Sequence, residues 1–315
     1  MTQDYLTQKP RSHSRGIGTL FLSLAMILGI CWIAGRNIWA DGPRWLTTPV
    51  DEIQLKPGSL RVAVIGDIQN AFSEFADLQG KIAELKPDLL LQLGDTVNNA
   101  KPGRYAALHS SVRAHGPGVP ILAVPGNHDL RRADDSLDLY REWIGPTEWR
   151  LDHEGWRILG LNNATGELSV ASQQLLKESA AEPPKLGLIV LAHRPESAPL
   201  NPAPRVQFAG HVHSSKGFVD PAGTRHIHLG NNCDRSHDAD PSDLPTVGLL
   251  SLDPDGKIEW DEQYTVPRKV HVKEELRRLV GGSIYPAMRE YPPLFGALIA
   301  GFLAAGAWFW RKALS

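Results

Sequence analysis

Apolar residues are distributed along this chain in two ways: as long unbroken runs near the ends, and as short runs stopped by glycine through the middle. Ile17 to Ala34, "IGTLFLSLAMILGICWIA", has no charged residue over 18 positions, close to the roughly 20 needed to cross a bilayer core. It predicts an uncleaved span over 17–35, after a tail at 1–16. A cleaved signal peptide fits less well, because a cut in "IWADGP" puts Ile38 where a small residue is wanted. Leu294 to Trp310, "LFGALIAGFLAAGAWFW", is also uncharged and is flanked by Tyr291, Arg311 and Lys312, an interfacial pattern. It predicts a second span over 294–310, with a buried helix of the globular part as the alternative. Ala25 and Gly29 in the first run, and Ala297, Gly301 and Ala305 in the second, recur every fourth residue, a spacing that lets two helices approach closely.

Between the two runs, residues 41–290 show no repeat or low-complexity stretch and read as one domain. "LRVAVIG" from Leu60, "LLLQLG" from Leu89 and "ILAVPG" from Ile121 are apolar runs of strand length that end in glycine. The first two are separated by "FSEFADLQGKIAEL", whose periodicity is helical. Later runs, "WRILGLNN", "LGLIVLAH", "VQFAGHVH", "HIHLGNN", "VGLLSL" and "KIEWDEQY", leave little room for helices between the last of them. The pattern predicts an α/β domain that opens with βαβα and is richer in sheet in its second half. The proline-rich "APLNPAP" predicts a loop that could wall a site. "KVHVKEELRRLVGG" places Leu276 and Leu279 among Lys273, Arg277 and Arg278; a solvated helix is the favoured reading, and an interfacial helix on anionic headgroups the alternative.

Composition narrows the class. With 42% hydrophobic and 22% charged residues over 315 positions, the chain can bury a sizeable core. A formal charge of -2 lacks the basic excess that holds a nucleic-acid backbone, so no nucleic-acid partner is expected. Cys31 and Cys233 build no disulfide framework in the soluble part. Two spans put both termini on one side of the membrane. Lys9, Arg11, Arg15, Arg311 and Lys312 favour cytoplasmic termini and an extracytoplasmic domain, although Arg36, Arg44 and Arg289 flank the opposite side.

The candidate chemistry lies at the ends of the apolar runs. Asp67, Asp95, Asn127 with His128, His193, and His211 with His213 each follow one, where open α/β sheets place ligand sites. Singly, each has an ordinary explanation: Gly-Asp after a strand is commonly a turn, and Asn127 in "PGNHD" could be a helix cap. Together, two carboxylates, an amide and four histidines at successive run ends match what two cations about 3.5 to 4 Å apart require.

The ordered set "GDIQ", "GDTVNN", "GNHD", "AHRP" and "GHVH", from Gly66 to His213, resembles the five blocks of the calcineurin-like metallophosphoesterases. The resemblance implies a four-layer αββα sandwich of two mixed sheets, here flanked by N- and C-terminal transmembrane helices. It implies that Asp95 bridges two divalent ions, manganese foremost, with iron, zinc or magnesium as alternatives. One ion would take Asp67, Gln69 and His213, and the other Asn127, His193 and His211. His128 would contact the phosphate and assist the leaving group, with Asp129 as its orienting neighbour. Gln69 departs from the family pattern, which has histidine there; its hard carbonyl oxygen suits magnesium, calcium or manganese and binds more weakly than imidazole. The function implied is a membrane-anchored phosphoesterase that uses metal-activated hydroxide on a phosphate mono- or diester. Tethering favours a lipid-linked substrate, and a soluble nucleotide or phosphoester is the runner-up. A catalytically inactive scaffold rests on Gln69 alone. His226 and His228 resemble a second metal cluster, with strand alternation the favoured reading, Arg131 and Arg132 could meet an anion or solvent, and Asn163 begins a glycosylation triplet.

Overall fold

A computed structural model describes residues 9–69, 71–196, 199–213, 215–229 and 244–314; Cys233 and Ala198 lie outside them. The first sheet runs in the order β11-β10-β1-β2-β3. Its strands β1 (Leu60–Ile65), β2 (Leu89–Gln92) and β3 (Ile121–Ala123) are parallel, and β10 (Thr246–Leu252) and β11 (Ile258–Thr265) extend it antiparallel. The second sheet runs β4-β5-β6-β7-β9-β8. In it β5 (Trp156–Gly160), β6 (Gly187–Ala192), β7 (Val206–Ala209) and β9 (Arg225–His228) are parallel, with β4 (Trp149–His153) and β8 (Lys216–Val219) antiparallel at the edges.

Period-two side-chain alternation sorts the strand residues into three layers of core. Val62 and Val64 of β1, with Leu91 and Leu93, face Ile158, Ile189, Leu191 and Phe208 of the second sheet. Their neighbours Ala63 and Ile65 face outward and are covered by α2 (Phe72–Leu85), α3 (Pro102–His115) and α4 (Asp138–Trp143). On the far side Leu159, Leu188 and Val190 pack under α5 (Val170–Ala181). This is the expected four-layer αββα sandwich, and α2 occupies the segment whose periodicity predicted it.

Two long helices leave the sandwich. Helix α1 (Lys9–Ile38) and helix α8 (Pro292–Leu314) pack against each other, with Phe21 stacked 5.9 Å from both Phe302 and Phe309. The expected small-residue face is met in part, with Ala25 buried at 3% exposure. Gly29 and Gly301 have open space around them, whereas a side chain at Gly18 would meet Trp310 and one at Gly306 would meet Leu22. Where nearly every position is apolar, spacing alone does not say which stripe meets the partner. The far end of α1 is tied to the domain: Trp39 Nε1 donates to Gly281 O at 2.9 Å, and Trp32 lies 5.3 Å from Tyr285. Tyr285 begins α7 (Tyr285–Glu290), which follows α6 (Val272–Leu279) after one π-helical turn at Val280–Ile284.

Candidate metal centre

The three parallel strands of the first sheet and β6 and β7 of the second end at one edge of the sandwich, and the polar residues follow directly. Asp67 comes two residues after β1, Asp95 three after β2, and Asn127 starts a short 3-10 turn, Asn127–Asp129, after β3. His193 follows β6 at once, and His211 and His213 follow β7. Asp67, Asp95 and His193 are buried, with relative exposures of 0%, 1% and 0%. One ligand atom from each of the three lies within 4.8 Å of the others.

Backbone conformation shows how tightly these side chains are aimed. Of the eight described non-glycine residues with positive φ, five are Asp67 (39°), Gln69 (48°), Asp95 (53°), His211 (66°) and His213 (47°). Left-handed backbone costs an L-residue of order 1 kcal/mol or more, and it persists only where the surroundings dictate it. Those surroundings include Asp67 N donating to Gly94 O at 3.2 Å and Gln69 N to Asp95 O at 2.9 Å. Gly94 adopts φ 95°, and a Cβ there would sit 2.6 Å from His193 Nδ1. At Gly126 a Cβ would collide with Asp95 N and Oδ1. These two glycines let the strand ends close around the donors.

The donor set fits a cation on a specific count of protons. His193 Nδ1 donates to Leu93 O at 2.8 Å, and burial pulls the His193 pKa below the ordinary value despite the charge of Asp95. The ring is therefore neutral, and its Nε2 carries a lone pair. That lone pair faces Asn127 Oδ1 at 3.0 Å and Asp95 Oδ1 at 3.4 Å. Three acceptor atoms converge, and the histidine is braced through its other nitrogen, as metal-binding imidazoles are. Asp95 Oδ1 also accepts the His128 backbone N–H at 2.9 Å, and Asp95 Oδ2 accepts from Gln69 Nε2 at 3.2 Å. Asp67 accepts the His211 N–H on both oxygens, at 3.3 and 3.2 Å, and His213 Nε2 stands 3.9 Å from Asp67 Oδ1. The residues present thus offer two buried carboxylates with imidazole and amide oxygen around them, a set that fits divalent ions.

His128 is half-buried with its Nε2 4.0 Å from Asp95 Oδ2, while its Nδ1 meets Asn98 O at 3.0 Å. Asp129 does not orient this ring. It turns inward and accepts from Gly126 N at 2.9 Å, Thr96 N at 3.1 Å, Thr96 Oγ1 and Tyr105 Oη at 3.3 Å. Burial, and then the charge of Asp95, push its carboxyl up to about 7. Its contacts make Asp129 the clasp that holds the β2 and β3 loops together; the backbone carbonyl of Asn98 is what engages the His128 ring.

Arg194 was not singled out from the sequence, although it directly follows His193. Its Nη1 lies 3.0 Å from His211 Nε2. Burial, then His193 and Arg194, lower the His211 pKa to about 4. Asn163 holds the Arg194 backbone on both sides, with Oδ1 accepting its N–H at 3.0 Å and Nδ2 donating to its carbonyl at 2.8 Å. Asn163 is 1% exposed, so it is a loop brace and not a surface glycosylation acceptor. Arg131 pairs with Asp134 in its own turn. His226 bonds Asp220 Oδ2 at 3.0 Å, on a strand whose Ile227 enters the core.

Residues 60–215 match the family model described as calcineurin-like phosphoesterase. A probable cyclic nucleotide phosphodiesterase of Synechococcus sp. is 27% identical over 121 residues, covering 37% of this chain and 46% of the relative. The chain thus spans about half the length of that curated relative. Among solved structures, a purple acid phosphatase from yellow lupin (Lupinus luteus) seeds superposes with a TM-score of 0.50 at 14% identity, covering 67% of this chain and 53% of that one. A dimetal phosphatase from Danio rerio covers 66% of this chain and 96% of its own, with a TM-score of 0.48 and 13% identity. The lupin enzyme shares the fold.

Proposed function

Since residues 60–215 belong to the calcineurin-like phosphoesterase family, we propose that this chain is a membrane-anchored, dinuclear-metal phosphoesterase that hydrolyses a phosphate mono- or diester. Asp95 would be shared by two divalent ions, with Asp67, Gln69 and His213 on one side and Asn127, His193 and His211 on the other. The observation that carries the reading is the convergence of His193 Nε2 on Asn127 Oδ1 at 3.0 Å and Asp95 Oδ1 at 3.4 Å, with ligand atoms of Asp67, Asp95 and His193 all within 4.8 Å of one another. When bound, such ions acidify water and neutralise phosphoryl charge.

The protein's own groups supply the rest. Leu93 O fixes the His193 ring, and Asn98 O fixes His128 so that its Nε2 faces the Asp95 carboxylate. From there His128 can pass a proton to a departing oxygen. Arg194 brings a guanidinium to the same edge, where it can pair with phosphoryl oxygens. The domain at 41–290 is held between spans at 17–35 and 294–310. Support for anchoring is the exposure of the two apolar helices: only 11% and 6% of their most apolar windows are buried, whereas a soluble core helix hides its apolar faces. Anchoring favours a lipid-linked phosphoester by raising its local concentration. A soluble nucleotide is the second reading, favoured by the likeness to the Synechococcus phosphodiesterase.

The test is hydrolysis by the purified full chain in detergent, with manganese, iron, zinc or magnesium supplied singly. Lipid-linked phosphoesters, cyclic nucleotides and activated aryl phosphates would be compared. Turnover in at least one metal is expected, and its absence with every metal and substrate would favour the scaffold.

A further inference from the structure

Helix α6 is packed inside out relative to a solvated amphipathic helix. It buries Glu274 and Arg277, at 2% and 9% exposure, and leaves Val272, Leu276 and Leu279 exposed at 69%, 53% and 46%. The buried side is polar because α3 satisfies it: Glu274 accepts from Ser111 Oγ at 3.2 Å, meets His115 Nε2 at 3.0 Å and pairs with Arg277. The three apolar residues, spaced four and three apart, form one outward stripe. Water is a poor neighbour for such a stripe, and a bilayer surface is a good one.

Between this helix and α1 lies a cavity of about 510 Å³. Ile27, Ile30 and Ala34 of α1 line one wall, Leu276 lines another, and Lys273 and Arg113 stand among them. The α1 wall belongs to the apolar run read as a span, so one end of the cavity would face hydrocarbon and the other the headgroup layer. Two of its cations are already paired, Arg113 with Asp41 and Arg277 with Glu274. Lys273 is exposed and has no carboxylate partner among the described residues.

We propose that this cleft between α1 and α6 binds an anionic glycerophospholipid, with an acyl chain along Ile27, Ile30 and Ala34 and the headgroup phosphate at Lys273. The occupant is set by charge complementarity at Lys273 and by continuity of the apolar wall with the span. The site rests on the membrane reading of α1 and α8, and it is independent of the metal centre.

The experiment takes the full chain from membranes into detergent and measures lipid adducts by native mass spectrometry with equimolar phosphatidylglycerol and phosphatidylcholine. Phosphatidylglycerol should be retained preferentially. Lys273→Ala should cut that preference about 5-fold, the weight of one basic residue at an anionic surface, with the thermal midpoint unchanged. Ala34→Trp, which fills the cavity, should remove adducts of both lipids. Equal retention of the two lipids, or an unchanged preference in Lys273→Ala, overturns the site, as does a lipid-free dimer that hides the cleft. An alkaline carbonate wash of the membranes separates the two failures. Release of the chain overturns anchoring and the lipid site together, whereas a chain that stays in the pellet but shows no lipid preference overturns the site alone.

Discussion

Two of the regions that carry histidines beside a carboxylate, the strand-end edge and strand β9, differ in how the residues arrive. At the β1-β2-β3 edge, Asp67, Asp95, Asn127, His193 and His211 come from five strand ends, both carboxylates are buried, and the backbone is left-handed at Asp67, Asp95 and His211. On β9, His226 and His228 are alternate residues of one strand, and His226 is satisfied by Asp220 and stacked 4.5 Å from Phe218. The first region leaves acceptors facing one another; the second closes its own hydrogen bond. Residue type is shared, and convergence from separate strand ends is what separates a site from a decorated strand.

The comparison can be broken by substitution. Asp95→Asn removes the charge both ions would share and should lower kcat/KM by more than about 100-fold, beyond what losing an outer-shell partner costs; steady-state rates on an aryl phosphate check it. His128→Ala should slow poor leaving groups by about 100-fold or more while affecting activated aryl esters far less, because a general acid matters most where the leaving oxygen is basic. A uniform loss across a leaving-group series would give His128 a binding role instead. Gln69→His should raise metal retained after dialysis, since imidazole holds transition metals more firmly than an amide oxygen. Elemental analysis reads it, and equal content would place Gln69 outside the coordination. Smallest of all, His226→Ala should leave turnover within about twofold, as a substitution at a closed strand pair costs stability and not chemistry. A large loss of activity there would erase the distinction between the two regions.

The parts of this molecule legible in sequence are those whose burial is one-sided or complete. The strands β1, β2, β3, β6, β7 and β10 are apolar runs stopped by glycine or a polar residue, and α2 has a clear apolar stripe. Strand β8 was invisible because all four of its residues are exposed, so nothing alternates. Helix α6 misled in the opposite sense: its buried face is charged and its exposed face apolar, a reversal that only the neighbouring helices reveal. At the candidate centre, run ends located the donors, but the roles of Asp129, Arg194 and Asn163 depend on loops meeting across the edge. A Gly-Asn-His-Asp string does not say which way its last carboxylate turns.

Metal content and geometry are therefore linked at one residue. The most direct measurement is the number of divalent ions bound per chain in equilibrium dialysis against saturating manganese, by elemental analysis of the full-length protein and of Asp95→Asn at equal folded fraction. Close to two ions are expected in the parent and at most one in the variant. The same metal content in both would contradict a shared site at Asp95.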